Sequence, residues 1–327
     1  MHQSNATDHT ETGRSITLPA SHVSSARKRK TAMAVPAMLA VFLLTGCIAN
    51  SGTSQSVPSS PTVSVQDAPA SNAPLETTQA STKIPVYWIG RSKDEVYLYR
   101  EFRDLPGDGN PVTSALRIMM SQKPLDHDLF TPWQSPANLA TSISGKNVIT
   151  VDLSKDAFNS NLDPGMAQRA VQQLVYTATA AASSSGLINS GQQIQVVILV
   201  DGHKDYMAFG QVKLGDPMDR DASVVAPLWI IDPQEDTTLP AGLVKFNGRS
   251  TDSSKPITWQ LLQDNGTADK TSLLTGQTKA SGDAGQYGLF TFSATLKRGK
   301  YEVRVSQVDG SGATIETSTD TKLFTVG

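Results

Sequence analysis

Apolar and polar positions change their period several times along the chain, and each change marks an element. Residues 32–44 are apolar throughout except for Pro36, whereas residues 48–81 hold few large apolar side chains. From Ile84 the pattern becomes that of a folded segment. Ile84-Pro85-Val86-Tyr87-Trp88-Ile89 and Glu95-Val96-Tyr97-Leu98-Tyr99 are rich in β-formers and separated by Gly90 and a charged turn, which predicts a strand pair. Asn110-Pro111 reads as a helix N-cap with proline at the first helical position, and Val112, Ala115, Leu116, Met119 and Met120 follow at helical spacing. After a loop containing Pro124, Pro132 and Pro136, residues 148–153 read as a strand. Asp163-Pro164 repeats the helix-start signature ahead of the stripe Ala167, Ala170, Val171, Leu174, Val175 and Ala178, and Gly186 closes that helix. Residues 194–200 are almost wholly apolar, as expected of a central strand covered on both faces.

Residues 204–221 are polar, and beyond them the period is that of strands. Residues 224–231 form the first candidate, with Pro227 suited to an edge or bulge. Residues 243–246 and 257–262 come next. Phe290, Phe292, Ala294 and Leu296 alternate with polar residues, as do Tyr301, Val303 and Val305, and residues 321–326 end the chain. Short alternating strands broken by Asp-Asn-Gly and Asp-Gly-Ser-Gly turns describe a β-sandwich. The expected fold class is therefore α+β: one small mixed sheet carrying two helices, then an all-β sandwich.

The apolar run at 32–44 is preceded by Arg27-Lys28-Arg29-Lys30 and ends in Leu44-Thr45-Gly46-Cys47. It is shorter than the ~20 residues a membrane span needs and matches the apolar core of an export signal. The small residues before Cys47 resemble the lipobox of bacterial lipoproteins. That resemblance implies cleavage before Cys47, lipidation of its thiol by a diacylglyceryl group, and anchoring on the extracytoplasmic face of the membrane. Cys47 is the sole cysteine, so an intramolecular disulfide is excluded. The Ser/Thr/Pro-rich stretch after it cannot bury enough surface to order itself and reads as a tether, its ends very roughly 30 Å apart as a coil. The expected organisation is residues 1–46 as signal with a polar extension, 47–82 as lipidated cysteine and tether, 83–203 as the α/β domain, 204–222 as linker and 223–327 as the sandwich.

Residues 84–203 resemble the GerMN domain first described in a spore-germination protein. The likeness is carried by the strand pair, the Ala115-Leu116 helix, Val151-Asp152-Leu153-Ser154, Gln173-Leu174-Val175-Tyr176-Thr177 and Val200-Asp201-Gly202. The family's Leu-hydrophobic-Gly-Pro after the first helix is here Met120-Ser121-Gln122-Lys123-Pro124. The C-terminal part resembles the immunoglobulin-like domain that often follows GerMN, through Phe246-Asn247-Gly248-Arg249-Ser250, Phe290 with Phe292, and Gly299-Lys300-Tyr301. These resemblances imply a non-catalytic interaction or structural component of the cell envelope, tied to signalling or germination, with an envelope protein or a second copy as partner.

A formal net charge of -2 gives no global field for nucleic acid. Of five histidines only His127 and His203 follow Cys47, which leaves little for metal or acid–base chemistry. Asp152, Ser154, Asp201 and His203 could be imagined as a Ser-His-Asp set, but Ser154 lacks the Gly-x-Ser-x-Gly elbow and Asp201-Gly202 is ordinary turn chemistry. Asp104, Asp108 and Asn110 miss the spacing of a calcium loop and read as a turn and cap. Asp126-His127-Asp128 is the densest metal-capable cluster, yet adjacent loop residues seldom converge on one ion. Neither phosphate loop nor cysteine-histidine metal set is present, so no catalytic residue, cofactor or metal is expected. Tyr87, Trp88, Tyr97 and Tyr99 could form an aromatic face for glycan. With the sandwich architecture they supply the alternative, a module that binds cell-wall carbohydrate such as peptidoglycan through Trp88 or Trp229.

Overall fold

The computed structural model describes residues 82–107, 109–188, 193–264, 266 and 270–327. The basic run, the apolar segment, Cys47, the tether and Asp108 lie outside the described residues.

The expected strand pair forms β1 (Lys83–Ser92) and β2 (Glu95–Asp104), antiparallel along their whole length with Trp88 opposite Tyr99. The helix α1 (Pro111–Ser121) begins where the sequence places it: Asn110 Oδ1 accepts from the N–H groups of Val112 at 2.9 Å and Thr113 at 3.2 Å. A two-residue strand β3 (Leu129–Phe130), then β4 (Leu139–Ile143) and β5 (Val148–Leu153), lead to α2 (Pro164–Ser184). Asp163 caps α2 by accepting from Met166 N–H at 3.0 Å, and Gly186 turns the chain away with φ of 69°. β6 (Gln195–Val200) follows, parallel to β5.

These strands form two three-stranded sheets, β2-β1-β3 and β4-β5-β6, where one mixed sheet was expected. The reason lies in α2. Its buried Thr177 and Gln173 take the backbone groups of Tyr87 that a neighbouring strand would otherwise use: Tyr87 N–H donates to Thr177 Oγ1 at 3.1 Å, and Gln173 Nε2 donates to Tyr87 O at 2.9 Å. Polar helix side chains thus stand in for a strand along β1. Nor is β6 covered on both faces. It lies at a sheet edge with Val196, Ile198 and Val200 buried and the residues between them partly open, and its outer side carries a bridge to Met218.

Residues 204–222, expected as a linker, are packed onto α2. They contain the short hairpin β7 (Met207–Ala208) and β8 (Val212–Lys213). The Arg220 side chain is buried, donates to Thr179 Oγ1 at 2.7 Å and lies 4.6 Å over the Tyr176 ring. A charged residue in a polar stretch is here a structural pin, because its guanidinium finds hydroxyl, carbonyl and aromatic partners on one helix face.

The rest of the chain is β: β9 (Leu228–Asp232), β10 (Thr237–Leu239), β11 (Gly242–Ser250), β12 (Ile257–Asp264), β13 (Thr271–Thr278), β14 (Gly288–Leu296), β15 (Gly299–Val308) and β16 (Thr314–Val326). One sheet has the order β14-β11-β9 and the other β10-β16-β15-β12-β13. The alternating residues of β11, β14, β15 and β16 face inward, among them Phe246, Phe290, Val303, Val305 and Phe324. Trp259 stacks on Phe292 at 4.5 Å, and Phe292 on Phe246 at 4.7 Å, so a column of rings ties the two sheets together. Pro227 stands just before edge strand β9, which pairs with β11 through a register shift at Asn247/Gly248.

Candidate functional site: a buried charged junction

The residues singled out in the sequence are placed as follows. Asp152, Ser154 and Asp201 line one shallow open groove of about 320 Å³, together with Asn138, Leu139, Ala140 and Leu153. His203 does not line it; it is exposed in the tight turn that ends β6, with Asp201 and Gly202 at φ of 49° and 78°. The buried Ser154 hydroxyl accepts from Asn138 N–H at 3.0 Å, and Asp152 Oδ1 accepts from Gly202 N–H at 2.9 Å. Both groups brace backbone. Asp104 is exposed at the end of β2, and Asn110 is occupied as a cap.

The aromatic face is overturned. Tyr87, Trp88, Tyr99 and Trp229 are all buried in the first core, at 2%, 0%, 6% and 2% exposure, and only Tyr97 is partly open. These four rings do not form a solvent-facing platform, because β1 packs against both helices and meets β16, while β2 is met by the chain leading into β9.

The Asp126-His127-Asp128 cluster is divided. His127 and Asp128 are exposed, while Asp126 is buried and points the other way, into a junction between the two halves of the fold. Four pieces of chain meet there: β2, the loop before β3, residues 233–236 and β16. Lys322 Nζ lies 2.5 Å from Asp126 Oδ2 and 3.9 Å from Asp320 Oδ1, with 6% of its side chain exposed. Glu101 accepts from the N–H groups of Asp126 at 2.8 Å and Leu125 at 2.9 Å, which fixes the loop. Asp320 accepts from Ile230 N–H at 2.7 Å, and Glu235 from Leu323 N–H at 2.9 Å. Arg103 stands 3.8 Å from Glu101 at the rim.

The electrostatics follow from burial. Loss of solvent raises the carboxyls of Glu101 and Asp320 above the ordinary range, against backbone N–H bonds and the Lys322 charge that favour ionisation. Glu235 is pushed up to about 7, first by burial and further by the Asp126 charge. For Lys322 burial acts downward, but Asp320, Asp126 and Glu235 outweigh it and hold the ammonium charged well above the usual lysine range.

Backbone bonds extend the same contact. Leu98 of β2 forms a parallel bridge with Val225, and its carbonyl accepts from Ala226 N–H at 3.1 Å. Phe102 N–H donates to Gln234 Oε1 at 2.5 Å, and Ser92 Oγ to Glu316 O at 3.2 Å. Val224, Val225, Ala226 and Trp229 are buried in the first core although they open the β half. The boundary expected at 222/223 therefore runs through a shared core. Sequence reasoning missed Glu101, Glu235, Asp320 and Lys322 as a group. One signal was present: in β16, Ser318, Asp320 and Lys322 share the inward register of Phe324 and Val326, so charged side chains face inward where a purely apolar sandwich has none.

Residues 85–206 match the family model described as Germane: Sporulation and spore germination. The chain thus carries a GerMN domain, of a family linked to sporulation and germination and not known to be catalytic. No curated protein matches the chain. Among solved structures, the chain is similar to the tandem GerMN domains of the sporulation protein GerM from Bacillus subtilis, at 16% identity, with 60% of each chain covered and a TM-score of 0.34. The first GerMN domain of the same protein matches at 18% identity over 43% of this chain and 96% of that one, with a TM-score of 0.32. Fibronectin(III)-like modules of Clostridium thermocellum CbhA match at 14% identity over 30% of this chain and 94% of theirs, with a TM-score of 0.20. The chain spans about three-fifths of the length of the tandem GerM structure.

Proposed function

We propose that this chain is a lipid-anchored, extracytoplasmic component of the bacterial cell envelope. In this reading the GerMN domain and an immunoglobulin-like β module serve together as a non-catalytic docking body in a germination-related or signalling process. The carrying observation is the junction around Lys322. It holds the two halves at a fixed relative placement through buried ion pairs, backbone bonds and a shared core. Such a body presents one extended surface to a partner, an envelope protein or a second copy, without losing orientational freedom on binding. The lipobox-like Leu44-Thr45-Gly46-Cys47 supplies the anchor, and the polar stretch after it the reach. The burial of Trp88, Tyr87, Tyr99 and Trp229 takes away the aromatic platform on which the carbohydrate alternative partly rested.

Crosslinking in intact cells tests this reading. Capture of a defined envelope protein, or of a second copy, is expected. Repeated recovery of neither, with the purified chain monomeric at high concentration, would overturn it.

A further inference from the structure

We infer that the junction is a proton-linked clamp, with Glu235 as its titrating residue: mild acidity tightens the contact between the GerMN domain and the β module, and neutral to alkaline conditions loosen it. The inference rests on the reading that this junction makes the two halves one body.

The geometry carries it. Four carboxyls, Glu101, Asp126, Glu235 and Asp320, are buried at one contact, and the only ammonium buried with them among the described residues is that of Lys322. Lys322 is committed to Asp126 and Asp320. Glu235 is left with a backbone N–H, that of Leu323, as its hydrogen-bond partner. The groups around it are known from every element. β2 brings Tyr99, Glu101 and the half-buried Arg103; the loop before β3 brings Asp126, with His127 and Asp128 turned to solvent. The segment holding Glu235 adds exposed Asp232 and Asp236, and β16 brings Asp320 and Lys322. With Lys322 shared by two other carboxylates, a proton on Glu235 is the least costly way to bury the fourth.

The direction follows from linkage. The Glu235 carboxyl rises from 4.5 toward about 7 in the closed junction, so the closed form binds a proton that the open form releases. The contribution is fully present below about pH 4.5, is lost as pH rises through 7, and is constant above that. Glu101 and Asp320, also raised, act with the same sign.

The test is hydrogen exchange on the full chain, anchor included, in detergent, comparing wild type with Glu235→Gln at each pH so that intrinsic exchange cancels. The reporters are the amides of Leu125, Asp126, Ile230 and Leu323, which donate into the cluster. The wild-type to variant rate ratio is expected to climb by up to about tenfold per pH unit between pH 5 and 7 and then level off. A ratio that stays constant over that range would overturn the clamp. Should the variant fail to fold, ¹³C titration of the Glu235 carboxyl in wild type decides: a midpoint near neutrality supports the proposal, and one in the ordinary glutamate range refutes it. Neither measurement involves a partner, so failure here is distinct from failure of the docking reading.

Discussion

The ammonium of Lys322 lies 2.5 Å from the carboxylate of Asp126, although 196 positions separate the two residues. This pair joins the last strand to the loop that follows the first helix. It ties the β module to the GerMN domain, whose core also takes in Val224, Val225, Ala226 and Trp229.

Because Lys322 is buried between Asp126 and Asp320, its removal leaves two carboxylates without a counter-charge. Lys322→Met is expected to lower stability by about 3–5 kcal/mol in urea unfolding at pH 7. Adding Asp126→Asn should cost less than the two single changes summed, since the second removes a charge already orphaned by the first. Strict additivity would show that the pair does not couple the halves.

A second prediction concerns close packing at the β9–β11 register shift. A Cβ on Gly248 would stand 2.0 Å from Phe290 Cζ and 2.6 Å from the Trp229 carbonyl oxygen. The carbonyl cannot rotate away as a side chain can. Gly248→Ala should therefore destabilise by about 1–3 kcal/mol or more, read as a fall in the denaturation midpoint. A neutral outcome would mean that β9 does not pass this close to β11.

Ser154 and His203 separate structural from catalytic roles. Ser154→Ala removes the acceptor for Asn138 N–H and should cost about 1–2 kcal/mol. His203→Ala, at an exposed turn, should stay within about 0.5 kcal/mol. Hydrolysis of ester and peptide substrates should be the same in both variants as in wild type; loss of a measurable rate in both would revive the triad.

Much of the local fold was legible in the sequence, because caps, prolines and alternation act over a few residues. Asn110-Pro111 and Asp163-Pro164 open the two helices as expected, and residues 84–89 and 95–99 pair. What escaped depends on contacts between distant residues. Nothing near Thr177 or Gln173 reveals that a helix will take the place of a strand beside Tyr87. Strand aromatics look alike whether they face water or a helix, so Trp88 could be read as a ligand platform while being buried. Short or exposed strands such as β4 and β13 carried too weak an alternation to stand out. Of the junction, only Asp126 drew notice, and for metal rather than for a lysine far away in the chain.

The anchor is tested independently of the fold. Cys47→Ala is expected to abolish incorporation of labelled fatty acid and to leave the precursor uncleaved, as judged by its mobility in gels. Labelling that persists in the variant would refute lipidation at Cys47.

Scanning calorimetry of the full chain tests most directly the claim that the two halves act as one body. The shared core and the Lys322 cluster predict a single unfolding transition for residues 82–327, with calorimetric and van't Hoff enthalpies in agreement. Two separated transitions, each with the enthalpy of one half, would contradict it.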